Sequence, residues 1–293
     1  MVNPLSGRKI TYTVILYFFC WLAAVICLLP MWHMLCLSFS DKDAIVSGRV
    51  GVWPVNFTLN NYKYVMKDTQ FYRSFLVSVI RLCMGVSIQT FLTVLAAYPL
   101  SQSRHKFAAR QFYVWYFMGA ILFSGGMIPL YLVVSKLGLL NTLWSLVLPL
   151  ATPVFNVILL QNYITGLPDA LIECASLDGA NHFIIMWKII LPLCMPCLAT
   201  ITLFVAVAHW NMWFDGMLYI NDLNKIPLQT YLRSLIITID MNQVTDIDTL
   251  SKQVASAGAD SAKVFVAMVP ILCVYPFLQK HFAKGIVMGS VKE

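Results

Sequence analysis

The sequence predicts an all-α integral membrane protein with six transmembrane helices. Of its 293 residues, 59% are hydrophobic and only 11% are charged, whereas a typical soluble domain carries about 25% charged residues. The mean hydropathy is +0.75. A chain with so few charges cannot cover itself with polar groups, so most of its surface must face lipid or other protein. We therefore expect a single transmembrane domain over residues 1–293.

Six apolar stretches approach the length that a membrane span requires, which is about 20 residues. The first follows Arg8 and Lys9, and it is too long for the apolar core of a cleaved signal peptide. Proline and glycine interrupt the third, fourth and sixth stretches, where they permit bending. The predicted spans are about 10–37, 74–99, 112–134, 142–161, 189–214 and 264–279.

The distribution of charge predicts the topology. Residues 100–111 contain Arg104, His105, Lys106 and Arg110 and no acid, which is typical of a cytoplasmic loop. Both termini are then cytoplasmic, and the polar segments 38–73 and 215–263 lie outside. The net charge of +7 comes from bases that flank apolar runs, so it does not indicate nucleic-acid binding.

The positions of the acidic residues indicate whether transport could be coupled to an ion gradient. All 13 fall in predicted loops or in the tail, whereas ion-coupled carriers generally place acids within the membrane. This distribution argues against a secondary carrier. A secondary carrier or channel for a small solute remains the alternative hypothesis. The chain also lacks a G-x-x-x-x-G-K-[ST] motif, so it has no phosphate-cradling loop with which to hydrolyse ATP alone.

Other chemistries find little support. Cys194 and Cys197 form a CxxC, but no second Cys or His pair lies near them to complete a metal site. The five histidines are isolated, and no nucleophile–base constellation is visible. We predict no catalytic residue, no metal and no cofactor bound by this chain.

The soluble-looking segment 167–196 interrupts this apolar chain and organises the functional prediction. Pro168 suits the first turn of a helix, and Asp169 and Glu173 place negative charge near the positive end of its dipole. Gly179 offers a break after about two turns. Apolar side chains on this short helix would supply a docking surface for another protein; they are Ala170, Leu171, Cys174, Ala175 and Leu177.

This segment resembles the EAA loop of the membrane subunits of ATP-binding-cassette (ABC) importers. Cys174 stands where a second alanine is usual, and Trp187 stands where phenylalanine is usual, and both changes keep the position apolar. The resemblance is carried by Glu173, Ala175, Asp178, Gly179, Ala180, Ile189, Leu191, Pro192 and Pro196.

The resemblance implies a type I ABC importer fold with a cytoplasmic coupling helix, in the bacterial cytoplasmic membrane. The implied partners are a different second permease, two ATPase subunits that bind ATP and Mg²⁺, and an extracytoplasmic solute-binding protein. Residues expected to couple to the ATPase are Glu173, Ala175, Asp178, Gly179 and Ala180. Glu173 would meet a basic residue of the ATPase; a solvated partner of the helix dipole is its alternative role.

The tail QKHFAKGIVMGSVKE and the stretch Trp53 to Tyr62 extend the resemblance over nearly the whole chain. They are similar to the second permease of maltose-type and oligouronide-type carbohydrate importers, including the smaller permease of alginate importers. An oligosaccharide, with an acidic one among the options, is the implied substrate.

Five residues are candidates for a substrate path. Arg81, inside the second span, either lines that path or snorkels or pairs structurally. Asn156 either lines a polar path or bonds to another helix. Trp210 and Trp213 suit an interfacial aromatic belt, but the resemblance puts a Trp-Asn pair, here Trp210 and Asn211, near the sugar cavity.

Overall fold

The structure, a computed structural model, describes residues 7–237 and 256–273, and every regular element within them is helical. This confirms the all-α prediction for the described residues. The α-helices are α1 (Gly7–Ser38), α2 (Lys42–Val46), α3 (Asn60–Lys67), α4 (Thr69–Ser101), α5 (Arg110–Leu122), α6 (Met127–Lys136), α7 (Val154–Thr165), α8 (Asp169–Leu177), α9 (His182–Ile184), α10 (Leu191–Leu193), α11 (Met195–Asn211), α12 (Phe214–Tyr219), α13 (Leu228–Ile237) and α14 (Ser256–Cys273). Short 3₁₀ segments cover Leu143–Leu146, Leu148–Leu150 and Leu223–Lys225, and a π-helical segment covers Ile185–Ile190.

Within the described residues, three helical stretches are long and apolar enough to cross a membrane unaided: Tyr12–Ser38, Thr69–Ser101 and Ser256–Cys273. Three bent pairs of helices bring the number to six if each pair counts as one span. α4 has 33 residues, which makes it about 50 Å long, more than the hydrocarbon core of a bilayer requires. It begins five residues before the predicted second span.

The third, fourth and fifth predicted spans are each bent at a break; the third and fourth were predicted to be interrupted by glycine or proline, whereas a bend in the fifth was not predicted. α5 and α6 meet at 114°, where Gly126 adopts a left-handed φ of 81°. The fourth stretch bends by 47° before Pro153, and the fifth bends by 81° at Cys194. The fifth stretch also ends at Asn211, short of the predicted boundary at 214.

α14 begins at Ser256 rather than at the predicted residue 264, so it contains Asp260 and Lys263. This helix, which is long and apolar enough to be a span, thus includes an acid from the segment that was predicted to be an outer loop. Lys263 is buried and lies 2.8 Å from Asp68 and 3.7 Å from Asp260, so these two carboxylates compensate its positive charge. Residues 274–279 of the predicted sixth span lie outside the described residues.

The described residues form two compact units, one from 7–71 with 234–237 and 256–268, the other from 72–233 with 269–273. In the first unit, Asn61 donates to the carbonyls of Ser38 and Ser40 at 3.0 Å each. A Cβ on Gly258 would contact the Asn61 and Ile45 side chains at 2.7 Å, so α14 packs closely here. The single domain predicted for residues 1–293 stays a prediction.

The second unit has its hydrophobic core where α4, α7, α8 and α11 meet. Fully buried residues at its centre include Ala97, Val157, Leu160 and Ile201. In contrast, α1 in the first unit buries none of its most apolar window against the chain. An apolar helix of this kind is stable only when lipid or a partner protein covers it.

Candidate functional site

The segment 167–196, called the coupling loop below, contains the predicted short helix as α8. Pro168 immediately precedes this helix with extended backbone (ψ 126°), and Asp169 lies in the first turn. Pro168 is therefore the residue before the helix rather than part of its first turn as predicted, and Asp169 complements the helix dipole as predicted.

One face of α8 is buried and the other is exposed. Ile172 and Ala175 are each 8% exposed and belong to the core of the second unit. Glu173 and Cys174 point outwards, and Leu177 is 88% exposed. Ala175 therefore packs against its own chain and does not lie on the exposed face, and its predicted part in the docking surface stays a prediction.

The end of α8 has the hydrogen-bond pattern of a Schellman motif. The N–H of Gly179 donates to the Ser176 carbonyl at 3.1 Å, and the N–H of Ala180 donates to the Ala175 carbonyl at 3.0 Å. Gly179 has a φ of 80°, a left-handed conformation that glycine adopts without the penalty of a Cβ. The Asp178-Gly179 pair thus stops the helix sharply, as its sequence indicates.

The chain then starts a second helical segment at once. The Asn181 side chain accepts a hydrogen bond from the N–H of Ile184 at 2.8 Å and so caps this segment. Tyr98, near the end of α4, places its hydroxyl 3.1 Å from Nδ1 of His182. The second contact ties the start of this segment to the C-terminal part of α4.

Where the middle of α4 meets the C-terminal end of α11 lies a group of buried or largely buried polar side chains, called the buried polar network below. Its members are Arg81, Gln89, His209 and Asp215. The Arg81 guanidinium is fully buried and bonds both carboxylate oxygens of Asp215, which is 14% exposed. Arg81 also donates to the Met212 carbonyl at 3.2 Å and to Nδ1 of His209 at 3.4 Å.

The geometry of α4 explains how the network fits together. Arg81, Gly85 and Gln89 follow one another at intervals of four residues, so they lie on the same face of the helix. A Cβ on Gly85 would overlap the His209 ring, so glycine allows that ring to approach the α4 backbone. Because Nδ1 of His209 accepts from Arg81, we assign the ring proton to Nε2, which lies 2.9 Å from the Gln89 carboxamide. This tautomer requires the carboxamide oxygen of Gln89 to face the ring and accept, because an amide nitrogen only donates.

The structure therefore places Arg81 in a structural pair rather than in an open path. From the sequence, Asp215 is predicted to start the outer polar segment 215–263. Sequence reasoning missed this partner because two residues 134 positions apart become neighbours only in the folded chain. The available signal was the i, i+4, i+8 spacing of Arg81, Gly85 and Gln89.

The remaining substrate-path candidates separate into buried and exposed residues. Trp210 is 5% exposed and packs edge-on against Phe75, with ring centroids 5.7 Å apart. Asn156 is 6% exposed in the first turn of α7. Asn211 is exposed and Trp213 is half-buried.

Trp213 has a cationic neighbour that the sequence did not suggest. The Cζ atom of Arg233 lies over the indole ring, 5.0 Å from its centroid. Thr230, one turn earlier on α13, donates its hydroxyl to the Trp213 carbonyl at 2.8 Å. Thr230 and Arg233 thus lie on one face of α13, and together they fix both the backbone and the ring of Trp213.

A narrow, almost wholly apolar groove of about 730 Å³ also runs between α4 and α11, lined by residues such as Val94, Leu198 and Leu203. The part of the chain that is described contains no group of three or more His, Cys, Asp or Glu side chains that could hold a metal ion.

Comparison with known proteins places these features in context. Residues 70–287 match the family model described as "Binding-protein-dependent transport system inner membrane component". The chain is 40% identical over 286 residues to a polygalacturonan/rhamnogalacturonan transport system permease protein, YtcP, of Bacillus subtilis (strain 168). That alignment covers 96% of this chain and 98% of the relative.

Two further similarities extend over most of the chain. Protein LplC of Bacillus subtilis (strain 168) is 43% identical over 268 residues, which cover 91% of this chain and 90% of the relative. A chain in the crystal structure of a bacterial ABC transporter involved in the import of the acidic polysaccharide alginate matches with a TM-score of 0.87 and 30% identity. The match covers 96% of this chain and 100% of that one.

Proposed function

We propose that this chain, which belongs to the family of binding-protein-dependent transport system inner membrane components, carries an acidic oligosaccharide into the cytoplasm. It is the permease subunit of an ABC importer and has the type I fold. The family's permeases work with a partner permease, ATPase subunits and a solute-binding protein. The chain is thus a transport subunit and not an enzyme, and ATP is hydrolysed on a separate subunit. This family assignment also stands against the alternative of a secondary carrier or channel.

The observation that supports the coupling role is the exposed face of α8. Leu177 is 88% exposed although it is apolar, and Glu173 lies one turn before it on the same short helix. An apolar side chain that the chain itself leaves uncovered, next to a carboxylate, suits a groove with a basic rim on another protein. We assign that groove to the ATPase subunit.

The proposed topology follows from this docking. The coupling loop lies in the cytoplasm with both termini, and α11 runs outwards for about 26 Å, since it has 17 residues. Its far end, with Asn211, then faces the solute-binding protein. The second permease in this arrangement is a different chain, and two ATPase subunits bind ATP and Mg²⁺ beneath the pair.

The mechanism we infer is alternating access driven by the ATPase subunits on the cytoplasmic side. ATP binding closes the two ATPase subunits, and α8 moves with them. Because the Ile172 and Ala175 side chains are buried in the core that α4, α7 and α11 share, a displacement of α8 is passed to those helices as a rigid-body movement. The cavity between the two permeases would then open to opposite sides in turn.

The test uses the complex reconstituted in proteoliposomes with its ATPases, sister permease and binding protein. We expect the Glu173→Ala variant to lose most of the substrate-stimulated ATP hydrolysis while membrane insertion and assembly of the permease pair stay intact. Asp222→Ala, which removes a half-buried acid in the segment after α12, is the control away from the coupling loop. Unchanged stimulation in Glu173→Ala would remove the coupling role.

A further inference from the structure

Among the described residues, the N–H donors of the guanidinium in the Trp213–Arg233 pair stay available for a ligand, whereas Arg81 uses its donors within the protein. Arg81 is 0% exposed, and its guanidinium is committed to Asp215, Met212 and His209. Arg233 is exposed, and within residues 7–237 and 256–273 no acid or hydrogen-bond acceptor contacts its guanidinium. A cation–π contact to Trp213 holds the group in place but does not use its N–H donors for acceptors.

Close packing and polar contacts hold the backbone of α12 and α13, which flanks Trp213 and carries Arg233, in a fixed position. α12 and α13 approach so closely that a Cβ on Gly216 would overlap the Thr230 hydroxyl. The backbone N–H of Leu228, at the start of α13, donates to the Ser78 hydroxyl of α4 at 2.7 Å. The Arg81–Asp215 ion pair ties α12 to the same helix. The ring and the guanidinium are therefore presented on a backbone that is fixed at several points.

We propose that Trp213 and Arg233, flanked by the exposed Asn211, form a subsite for a sugar unit that bears a carboxylate. An aromatic ring offers an apolar face to the C–H groups of a pyranose, and a guanidinium matches a carboxylate through two parallel N–H···O bonds. The Asn211 amide offers both a donor and an acceptor to hydroxyl groups. This inference rests on the proposed function, and it assigns the recognition of acidic sugars to Arg233 instead of Arg81.

The position in the fold agrees with this role. Asn211 is the last residue of α11, and the coupling loop ends in the first turn of that helix. The subsite thus lies at the opposite end of α11 from α8, at the mouth that would receive sugar from the binding protein. An anionic lipid headgroup shares the chemistry of a carboxylate, so the experiment must separate the two ligands.

The experiment compares trigalacturonate with its methyl ester, which has the same rings but no charge. Uptake by the Arg233→Gln complex is expressed relative to the wild-type complex for each sugar, which cancels any preference of the binding protein. We expect a loss of about 10-fold or more for the acid, since a bidentate charged contact is removed, and less than twofold for the ester. Arg233→Lys keeps the positive charge but lacks the two parallel N–H donors of the guanidinium. It should therefore recover only part of the acid uptake.

The control is Lys136→Gln, which removes one exposed positive charge from the outer turn of the same unit. It should leave the ratio of acid to ester uptake unchanged. An equal loss for both sugars in Arg233→Gln would identify a structural or lipid-anchoring role and overturn the subsite, and repetition in vesicles with and without phosphatidylglycerol would identify the lipid case. If the wild-type complex transports neither sugar, the proposed function fails; if it transports both and Arg233→Gln matches it, only the subsite fails.

Discussion

The Arg81 guanidinium and the Asp215 carboxylate form a two-pronged ion pair that joins the middle of α4 to the segment after α11. Arg81 is fully buried, and the Asp215 side chain is 14% exposed. A pair of this kind does not by itself add much stability, because each charge loses its hydration. Its consequence is that neither partner can be removed alone without leaving an uncompensated buried charge.

We therefore expect Asp215→Asn to destabilise the protein by about 3–5 kcal/mol. The control is Asp222→Asn, since Asp222 and Lys225 form a partly exposed pair 3.8 Å apart that is worth at most about 1 kcal/mol. The midpoint of thermal unfolding of the purified complex measures both. A double variant, Arg81→Met with Asp215→Leu, should recover most of the loss; if it is no better than Asp215→Asn, burial of a lone charge is not the cause.

Gly85 permits the His209 ring to lie against α4, so Gly85→Ala should destabilise by about 1–3 kcal/mol through overpacking. Gly119 is also helical, but a Cβ there meets nothing within 4 Å. Gly119→Ala should be neutral or slightly stabilising, because alanine favours a helix more than glycine does. Thermal unfolding of the two variants tests the contrast, and equal midpoints would contradict the close approach.

Gly179→Ala places a Cβ on a residue with a φ of 80° and should cost about 1–2 kcal/mol. Gly138 has a φ of 68° and equally open surroundings, so Gly138→Ala introduces the same strain in a turn away from the coupling loop. Both variants should lower stability to a similar extent. Only Gly179→Ala should also reduce the sugar-stimulated ATPase rate, and an equal reduction in both would remove the special role of this turn.

Leu177→Ser removes an apolar side chain that the chain leaves exposed, so it should not destabilise the permease itself. If Leu177 inserts into the ATPase, the variant should weaken binding of that subunit by about 10-fold or more, in keeping with the loss of one buried leucine. Leu223→Ser is the matched control, because Leu223 is 66% exposed in another loop. Affinity of the purified ATPase for the permease pair in nanodiscs is the measurement.

The coupling loop could be predicted closely because its signals are local. Asp169, Gly179 and the following Asn181 act on backbone groups within four residues of themselves. Which face of α8 is buried was not available from this pattern. Ala175 and Leu177 are both apolar, and only the position of the core behind α8 distinguishes them.

The C-terminal end of α11, near Asn211, was predicted less well because its contacts are distant in sequence. Asp215 follows an apolar span and reads as the first residue of a loop, yet Arg81 draws it into the protein. Arg233 lies on a short amphipathic helix whose register over Trp213 depends on Thr230 and Gly216. The bends at Gly126 and Cys194 were signalled by glycine and proline, but their angles depend on packing.

The docking of α8 on the ATPase is tested most directly by the reactivity of Cys174, an exposed thiol on the free face of that helix. A variant that keeps Cys174 as its single cysteine is treated with a maleimide in nanodiscs, before and after ATPase subunits are added; Lys136→Cys in a cysteine-free background is the control. We predict that Cys174 reacts in the permease pair alone and is protected at least 10-fold in the full complex, whereas the control reacts equally in both. Equal labelling of Cys174 with and without the ATPase would contradict the account.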